Sequence, residues 1–270
     1  MAIKMDNRAI GVFDSGLGGL TAVAEIMRLL PNEKIVYFGD TARVPYGTRS
    51  RETIMRYVNE DIDFLRSFDI KAVIMACGTA SSVSLPQIRE IYDIPIIGVV
   101  EPASRAACNA TKNLKVGIIG TSATVKSRSY EREILTALPG AEIYTAPCPL
   151  FVPLVENGRT NPDDIVLATM VEEYLTPIRE AGVDTLIMGC THYPIIERAI
   201  ARFMGSGVSL INPGLEAAKF LQECEDIEKS SGAAEYRFFV SDDRGGFMEN
   251  ASKFLGGKLC GEVEIASAGK

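Results

Sequence analysis

The sequence predicts an α/β fold made of two lobes, each a mostly parallel sheet flanked by helices. Short runs rich in Val, Ile, Phe and Tyr alternate along the chain with segments whose apolar residues recur at helical spacing. Many of these runs are apolar throughout, which is typical of parallel strands covered by helices on both faces. A weak internal repeat further indicates that one α/β unit occurs twice.

Nine runs are predicted to be strands, and they cover residues 10–13, 35–38, 72–75, 96–99, 116–119, 143–145, 185–188, 208–211 and 236–240. Two of the intervening helices are well marked. The first has Ser50 as its N-cap and buries four aliphatic residues, Ile54, Val58, Ile62 and Leu65. The second opens at Asn161, before Pro162, stops at Gly182 and buries Ile165, Ala168, Val171, Leu175 and Ile178.

The repeat relates residues 11–15 to 117–121 and residues 73–77 to 186–190. In each pair a predicted strand ends in similar residues. Two copies of one unit would face each other across a cleft, and we expect the active site in that cleft. We expect the first lobe to comprise residues 1–98 plus 210–270 and the second lobe to comprise residues 99–209.

Composition and charge exclude several classes of function. The chain of 270 residues has a net charge of -7 and no block of basic residues, so we expect neither nucleic acid nor an anionic membrane as a partner. Residues 1–7 lack the pattern of an export signal, and no apolar run is long enough to span a bilayer. The six cysteines are scattered, with no disulfide framework. We therefore expect a cytoplasmic protein with free thiols.

Two cysteines occupy matching positions in the repeat. Cys77 follows the predicted strand 72–75 and precedes small residues that suit a helix start, and Cys190 follows the predicted strand 185–188, with Pro194 at the first position of the next helix. There a thiol lies at the sheet edge where α/β folds bind ligands, near a helix N-terminus that favours thiolate. Free cysteines are more often packing residues, and we interpret the other four so: Cys108, Cys148, Cys224 and Cys260.

A matched pair of acid/base groups suits a reaction that takes a proton from one face of a carbon and returns one to the other face. That reaction is racemisation. A carbon acid next to a carboxylate is far weaker than a thiol of pKa about 8.5, so the site must also stabilise a planar carbanion. Backbone amides at helix starts can do this.

Segment 13–20 is glycine-rich and follows the first predicted strand, the usual setting of an anion-binding loop. It lacks the spacing of a dinucleotide or Walker A loop, so a carboxylate is the expected guest. Glycines that merely allow close packing explain the loop equally well. Asp14 could orient a base or bind a substrate ammonium group, and a helix N-cap is the competing interpretation.

Three further positions are candidates. His192, the only histidine, lies two residues beyond Cys190 and can tune that thiol or shuttle a proton. Cys77, Cys190 and His192 lack a fourth ligand at zinc-like spacing, which disfavours a metal site. Segment 39–47 has the residues of a ligand-lining loop, or of an ordinary loop. Glu156 is a candidate supporting acid, although its sequence context alone favours a solvated carboxylate.

Taken together, several motifs resemble the aspartate/glutamate racemase superfamily of cofactor-independent enzymes. They cover residues 13–19 (FDSGLGG), 39–42 (GDTA), 44–47 (VPYG), 76–81 (ACGTAS), 100–103 (VEPA) and 189–194 (GCTHYP). The resemblance runs almost end to end. The last motif is similar to that of the glutamate branch, because aspartate racemases tend to have an acid in place of this histidine.

The resemblance implies two pseudo-symmetric α/β lobes, no pyridoxal phosphate or metal, a homodimer, and interconversion of L- and D-glutamate for peptidoglycan synthesis. It implies that Cys77 and Cys190 are the proton donor and acceptor pair, assisted by Asp14 and His192. The implied substrate-contacting positions are Asp14, Ser15, Tyr46, Gly47, Gly78, Thr79, Thr191 and His192. The implied supporting acids are Asp40 and Glu156.

The chain departs from this family's pattern at one position. The family usually has Asn after the first cysteine, where this chain has Gly78. Loss of that amide contact would cost about 1–3 kcal/mol of affinity if its partner stays unpaired. Two alternatives therefore stay open, a racemase of another acidic amino acid such as aspartate and a carboxylate-binding regulator without turnover.

Overall fold

A computed structural model of the chain describes residues 5–257 and 259–269. The strands in these ranges are β1 (Ala9–Asp14), β2 (Ile35–Gly39), β3 (Ile70–Met75), β4 (Ile96–Gly98), β5 (Lys115–Gly120), β6 (Glu142–Pro147), β7 (Thr185–Met188), β8 (Ser209–Ile211), β9 (Tyr236–Val240) and β10 (Val263–Ile265). The α-helices are α1 (Leu20–Leu29), α2 (Arg51–Leu65), α3 (Gly78–Ile91), α4 (Val100–Ala110), α5 (Ser122–Ser127), α6 (Ser129–Ala137), α7 (Phe151–Glu156), α8 (Ile165–Glu180), α9 (Glu197–Met204), α10 (Pro213–Glu223) and α11 (Arg244–Leu255). Short 3₁₀ turns cover Thr41–Arg43, Tyr46–Thr48 and Tyr193–Ile196.

The strands form two sheets, and every strand pair in the described ranges is parallel. The larger sheet has the order β10-β9-β2-β1-β3-β4 and the smaller one has the order β6-β5-β7-β8. The run β2-β1-β3-β4 thus matches β6-β5-β7-β8 strand for strand. The predicted α/β class with two mostly parallel sheets is confirmed, and the repeat corresponds to β1 with β5 and β3 with β7.

Helices cover both faces of the larger sheet. On β1, Val12 packs into the cluster that contains Val23 of α1, whereas Phe13 packs into the cluster that contains Val58 of α2. Burial of successive residues on opposite faces explains why the strand is apolar throughout instead of alternating. The predicted helix after Ser50 is confirmed, since the Ser50 hydroxyl accepts a hydrogen bond from the amide of Thr53.

The start of α8 differs from the prediction. Its N-cap is Asp164, whose Oδ1 accepts hydrogen bonds from the amides of Val166 (2.9 Å) and Leu167 (3.0 Å). A carboxylate three residues further on provides the cap that was expected from Asn161. Ile165 and Ala168 are consequently exposed, and Leu167 is buried instead.

Two features lie at the end of the chain. Strand β10 was not predicted, because Glu264 separates its two apolar residues. Both β9 and β10 extend the larger sheet, whereas β8, which spans the predicted boundary at 209/210, pairs with β7. The division into lobes 1–98 plus 210–270 and 99–209 stays a prediction.

No helix in the described part of the chain combines the length and apolar character needed to cross a membrane.

Candidate active site

A cavity of about 270 Å³ lies where strands of both sheets end. Ser15 follows β1, Cys77 follows β3, Thr121 follows β5 and Cys190 follows β7, and all four line this cavity. Carboxyl ends of parallel strands are the usual ligand-binding edge of an α/β sheet. Here two such edges contribute to one cavity.

Most of the residues predicted from the sequence line this cavity, namely Ser15, Tyr46, Gly47, Cys77, Gly78, Thr79, Glu156, Cys190, Thr191 and His192. Asp14 and Asp40 are not in its wall. Both are fully buried behind it and hold segments of the wall in place.

Cys77 is the N-cap residue of α3. The amide of Ala80 donates to its sulfur at 3.5 Å, and the thiol donates to the Ser15 hydroxyl at 3.5 Å. Burial, together with the nearby Asp14 carboxylate, raises the pKa of Cys77 to about 12. Cys77 is therefore a thiol at neutral pH.

Cys190 has a different environment from Cys77. It lies in a bend after β7, and its Sγ is 3.8 Å from Nδ1 of His192. The Nε2 of His192 is in turn 3.0 Å from Oε1 of Glu156. Burial opposes the charged ring, but the hydrogen bonds to Cys190 and Glu156 outweigh it and raise the pKa of His192 to about 10. Pro194, expected at a first helical position, is the second residue of the 3₁₀ turn.

Glu156 proves to be more than a solvated carboxylate. Its side chain is 38% exposed, yet one oxygen contacts the buried ring of His192. The side chain is thus exposed, as its sequence context favoured, and it reaches His192 because the end of α7 packs against the 3₁₀ turn that follows β7.

Asp14 is fully buried between the two strand-end loops. Its carboxylate accepts hydrogen bonds from the amide of Gly16 at 3.0 Å and from the hydroxyl of Thr191 at 3.4 Å. Burial raises the pKa of Asp14. The N-cap of α1 is Gly19, so the competing N-cap interpretation of Asp14 was wrong.

The glycines of the loop after β1 lie at the cavity wall and at a close approach to a neighbouring loop. Gly16 lines the cavity. At Gly18 there is no room for a side chain, because a Cβ would lie 2.1 Å from the hydroxyl oxygen of Thr191. This loop is thus the surface against which the loop carrying Cys190 packs, and Thr21 secures it by donating to the carbonyl of Thr191 at 3.0 Å.

Gly78 also sits at a close approach of two backbones. A Cβ there would lie 2.3 Å from the carbonyl oxygen of Gly189. The loop of Cys77 can therefore pack against the loop of Cys190 only because residue 78 has no side chain. Any other residue type here would require a backbone shift.

Tyr46 lines the cavity, and its hydroxyl bonds to carboxyl groups behind the cavity wall. The hydroxyl is hydrogen-bonded to Asp40 and, at 2.8 Å, to Asp61, both fully buried. Arg43 binds the same two carboxyl groups at 2.5 and 2.8 Å. This buried cluster fixes the segment that presents Tyr46 and Gly47 to the cavity.

Sequence reasoning missed Thr121, Ser122 and Cys148, which also line the cavity. Thr121 holds its hydroxyl 2.9 Å from that of Thr79. The repeat could have identified Thr121, because it aligns with Ser15. The sequence around Cys148 gave no comparable signal. No group of three His, Cys, Asp or Glu side chains arranged for a metal ion occurs among the residues that the structure describes.

Comparisons with known proteins agree with this geometry. A family model described as Asp/Glu/Hydantoin racemase matches residues 15–221. The chain is 45% identical over 256 residues to a glutamate racemase of Geobacter metallireducens, covering 93% of this chain and 94% of the relative. It superposes on a glutamate racemase of Bacillus anthracis with a TM-score of 0.90 at 36% identity, covering 96% and 97% of the two chains. A glutamate racemase of Francisella tularensis, solved in complex with D-glutamate, gives 0.88 at 39% identity, covering 98% and 99%.

Proposed function

The chain belongs to the Asp/Glu/hydantoin racemase family, and we propose that Cys77 and Cys190 are the two bases with which it interconverts L- and D-glutamate. Glutamate racemisation is its activity, since the matched relatives and solved neighbours are glutamate racemases over almost their whole length. The D-glutamate that such enzymes make is used for peptidoglycan synthesis. An aspartate substrate is not favoured.

The reaction transfers protons on opposite faces of one carbon. A thiolate removes the α-proton, so that a C–H bond breaks and an S–H bond forms. The opposite thiol then protonates the planar carbanion, and its own S–H bond breaks. After one turnover the two sulfurs have exchanged protonation states. In the absence of substrate Cys77 is the protonated member, in keeping with its raised pKa.

The neighbours of the two sulfurs have different roles in this proposal. His192, held by Glu156, is positively charged at neutral pH and favours negative charge on the sulfur of Cys190. Asp14 assists Cys77 and Asp40 supports the cavity wall. The N-terminal end of α3 supplies a positive dipole beside Cys77, which stabilises negative charge on the substrate.

The substrate-contacting set that we propose is Asp14, Ser15, Tyr46, Gly47, Gly78, Thr79, Thr191 and His192. Asp14 and Tyr46 also hold the loops of the site in place, because their polar atoms bond to protein groups. Ser15, Thr79 and Thr191 line the cavity, and we assign their hydroxyls to binding carboxylate and ammonium groups of the substrate. In the structure these hydroxyls contact Cys77, Thr121 and Asp14, respectively.

A single observation carries the proposal, namely that cysteines from equivalent strand ends of two sheets line one cavity. Incubation of the purified, reduced protein with L-glutamate in deuterated water is expected to yield D-glutamate labelled at the α-carbon. Cys77→Ser and Cys190→Ser should each abolish racemisation, whereas Cys108→Ser, outside the cavity, should not. Glutamate that stabilises the protein without α-proton exchange would instead identify a non-catalytic carboxylate-binding regulator.

We also propose that the protein is a cytoplasmic homodimer. The proposal rests on the family resemblance and on exposed aliphatic side chains, of which Ile165 is 76% exposed. Light scattering of the purified protein at micromolar concentration tests the dimer, and a monomeric mass would exclude it.

A further inference from the structure

A second cavity, of about 450 Å³, lies away from the cysteines, and its wall is strongly basic. Arg49 and Arg51 at the start of α2, Lys126 of α5 and Arg132 of α6 all line it. No Asp or Glu among the described residues does so. In a chain with a net charge of -7, four cations around one cavity form a local positive field.

The cations are largely uncommitted within the described part of the chain. In the described ranges Arg49, Arg51 and Lys126 form no salt bridge, although Arg51 interacts electrostatically with the exposed Glu52. The guanidinium of Arg132 donates to the carbonyl of Ser127 at 2.6 Å. These side chains are therefore available to an anion. The cavity wall also contains aliphatic groups from Ile54, Val83 and Pro86.

A buried hydroxyl in the same wall is the second observation. Ser82 of α3 is only 4% exposed, and its Oγ has no hydrogen-bond partner. Its helix neighbours do have partners, since Ser81 donates to the carbonyl of Met75 at 2.8 Å and Ser84 to that of Ala80 at 2.7 Å. An unpaired buried hydroxyl is costly. Ser82 and Gln87 both line the basic cavity, and the Oε1 of Gln87 is likewise buried without a hydrogen-bond partner.

We propose that this cavity binds a small phosphate-bearing molecule, whose phosphate oxygens contact the four cations and accept a hydrogen bond from Ser82. The site joins helices of both sheets, because α3 packs on the larger sheet and α5 on the smaller one. The same two helices meet at the active site through Thr79 and Thr121. A ligand in the basic cavity is therefore expected to stabilise the packing of α3 on α5.

Calorimetric titration of the whole protein with pyrophosphate, at constant ionic strength set with sodium chloride, tests the proposal. We expect saturable one-site binding and a rise in melting temperature. Ser82→Ala and the double variant Arg51→Gln/Lys126→Gln should each weaken binding by about tenfold or more. Lys112→Gln removes an exposed positive charge elsewhere and should bind as the wild type does.

Titration with ADP distinguishes the source of the phosphate. Tighter binding than pyrophosphate indicates a nucleotide whose base packs on the aliphatic wall, and equal or weaker binding indicates a simple phosphate ester or inorganic anion. The proposal is overturned if pyrophosphate binds the Ser82 and Arg51/Lys126 variants as tightly as the wild type, or if it does not bind at all. It is also overturned if, in a parallel titration, a DNA duplex is the only one of these anions that binds. Racemase activity measured without anion should be unchanged in all variants, which separates this result from the proposed function.

Discussion

The sulfur of Cys190 lies 3.8 Å from Nδ1 of His192. Cys77, at the equivalent strand end, instead has the hydroxyl of Ser15, a helix amide and the carboxylate of Asp14 as neighbours. The two bases therefore differ although the strands before them are equivalent. The sulfur of Cys190 lies beside the charged ring of His192. The sulfur of Cys77 lies between the positive end of the α3 dipole and the carboxylate of Asp14, whose effects oppose each other.

This asymmetry predicts unequal alkylation of the two thiols. At pH 7 iodoacetamide should modify Cys190 faster than Cys77, because alkylation needs the thiolate and the pKa of Cys77 is raised to about 12. His192→Gln should slow modification of Cys190 by about tenfold or more and leave Cys77 unchanged. Peptide mapping by mass spectrometry gives both rates from one sample, so that Cys77 is the internal control. Equal rates in the wild type would contradict the assigned roles.

Gly78 is predicted to be indispensable for this packing of the two loops. In Gly78→Ala the new Cβ would meet the carbonyl oxygen of Gly189 at 2.3 Å, and backbone cannot yield as a flexible side chain would. We expect a loss of about 1–3 kcal/mol in the free energy of unfolding and a lower kcat. Urea unfolding and initial-rate kinetics measure the two effects.

Gly207→Ala is a suitable control for this substitution, because nothing lies within 4 Å of a Cβ there. Gly78→Asn restores the residue usual in the family. If Asn lowers KM for glutamate while Ala does not, the amide itself binds substrate. If Ala is as stable and active as the wild type, the close approach of Gly78 and Gly189 does not constrain the site.

The cluster around Tyr46 predicts a pH dependence of stability. Its hydroxyl has one proton and lies against both Asp40 and Asp61, so we expect one of these carboxyl groups to carry a proton. Burial, followed by repulsion from Asp40, raises the pKa of Asp61 well above its usual value. When Asp61 is protonated, we expect it to donate to the Tyr46 hydroxyl, which then donates to Asp40.

A raised pKa in the folded state means that folded Asp61 holds its proton over a range in which the unfolded chain has lost it. The stability that it contributes is present in full below about pH 4 and is lost as the pH rises toward the folded value, by up to about 1.4 kcal/mol per pH unit. Asp61→Asn keeps a donor to Tyr46 without a titrating proton, so its free energy of unfolding should vary less between pH 4 and 7. Urea unfolding across that range tests this, and identical slopes in both proteins would place the proton elsewhere.

The sequence was sufficient for the parts of the site that follow strand ends. Cys77 and Cys190 could be predicted because the repeat marks their strands, and chain direction alone brings the ends of parallel strands to one edge. The contact of Glu156 with His192 could not be predicted, because it depends on how α7 packs against a loop far away in sequence. Thr121 lay within the repeat, but a hydroxyl at a helix start is commonly explained as an N-cap, and Thr121 does cap α5. Its additional contact with Thr79 could not be predicted from that pattern.

Lys71 is predicted to matter for stability but not for catalysis. Its Nζ lies 2.7 Å from Oε2 of Glu33, both side chains are 2% exposed, and it also donates to the carbonyls of Asp6 and Glu228. These groups surround the beginning of β3, at the opposite end of the strand from Cys77. Lys71→Met would leave the Glu33 carboxylate buried without its cation and should cost about 3–5 kcal/mol.

Lys34→Met is the matched control, because its partner Glu235 lies at 3.3 Å and the two side chains are 36% and 61% exposed. An exposed pair of this kind contributes about 0–1 kcal/mol. Adding Glu33→Gln to Lys71→Met should recover part of the lost stability, since the neutral amide no longer needs a cation. Chemical denaturation measures all three variants, and KM for glutamate should match the wild type in each. A Lys71→Met variant that unfolds no more easily than Lys34→Met would show that the Glu33 carboxylate is readily protonated or solvated in the folded protein.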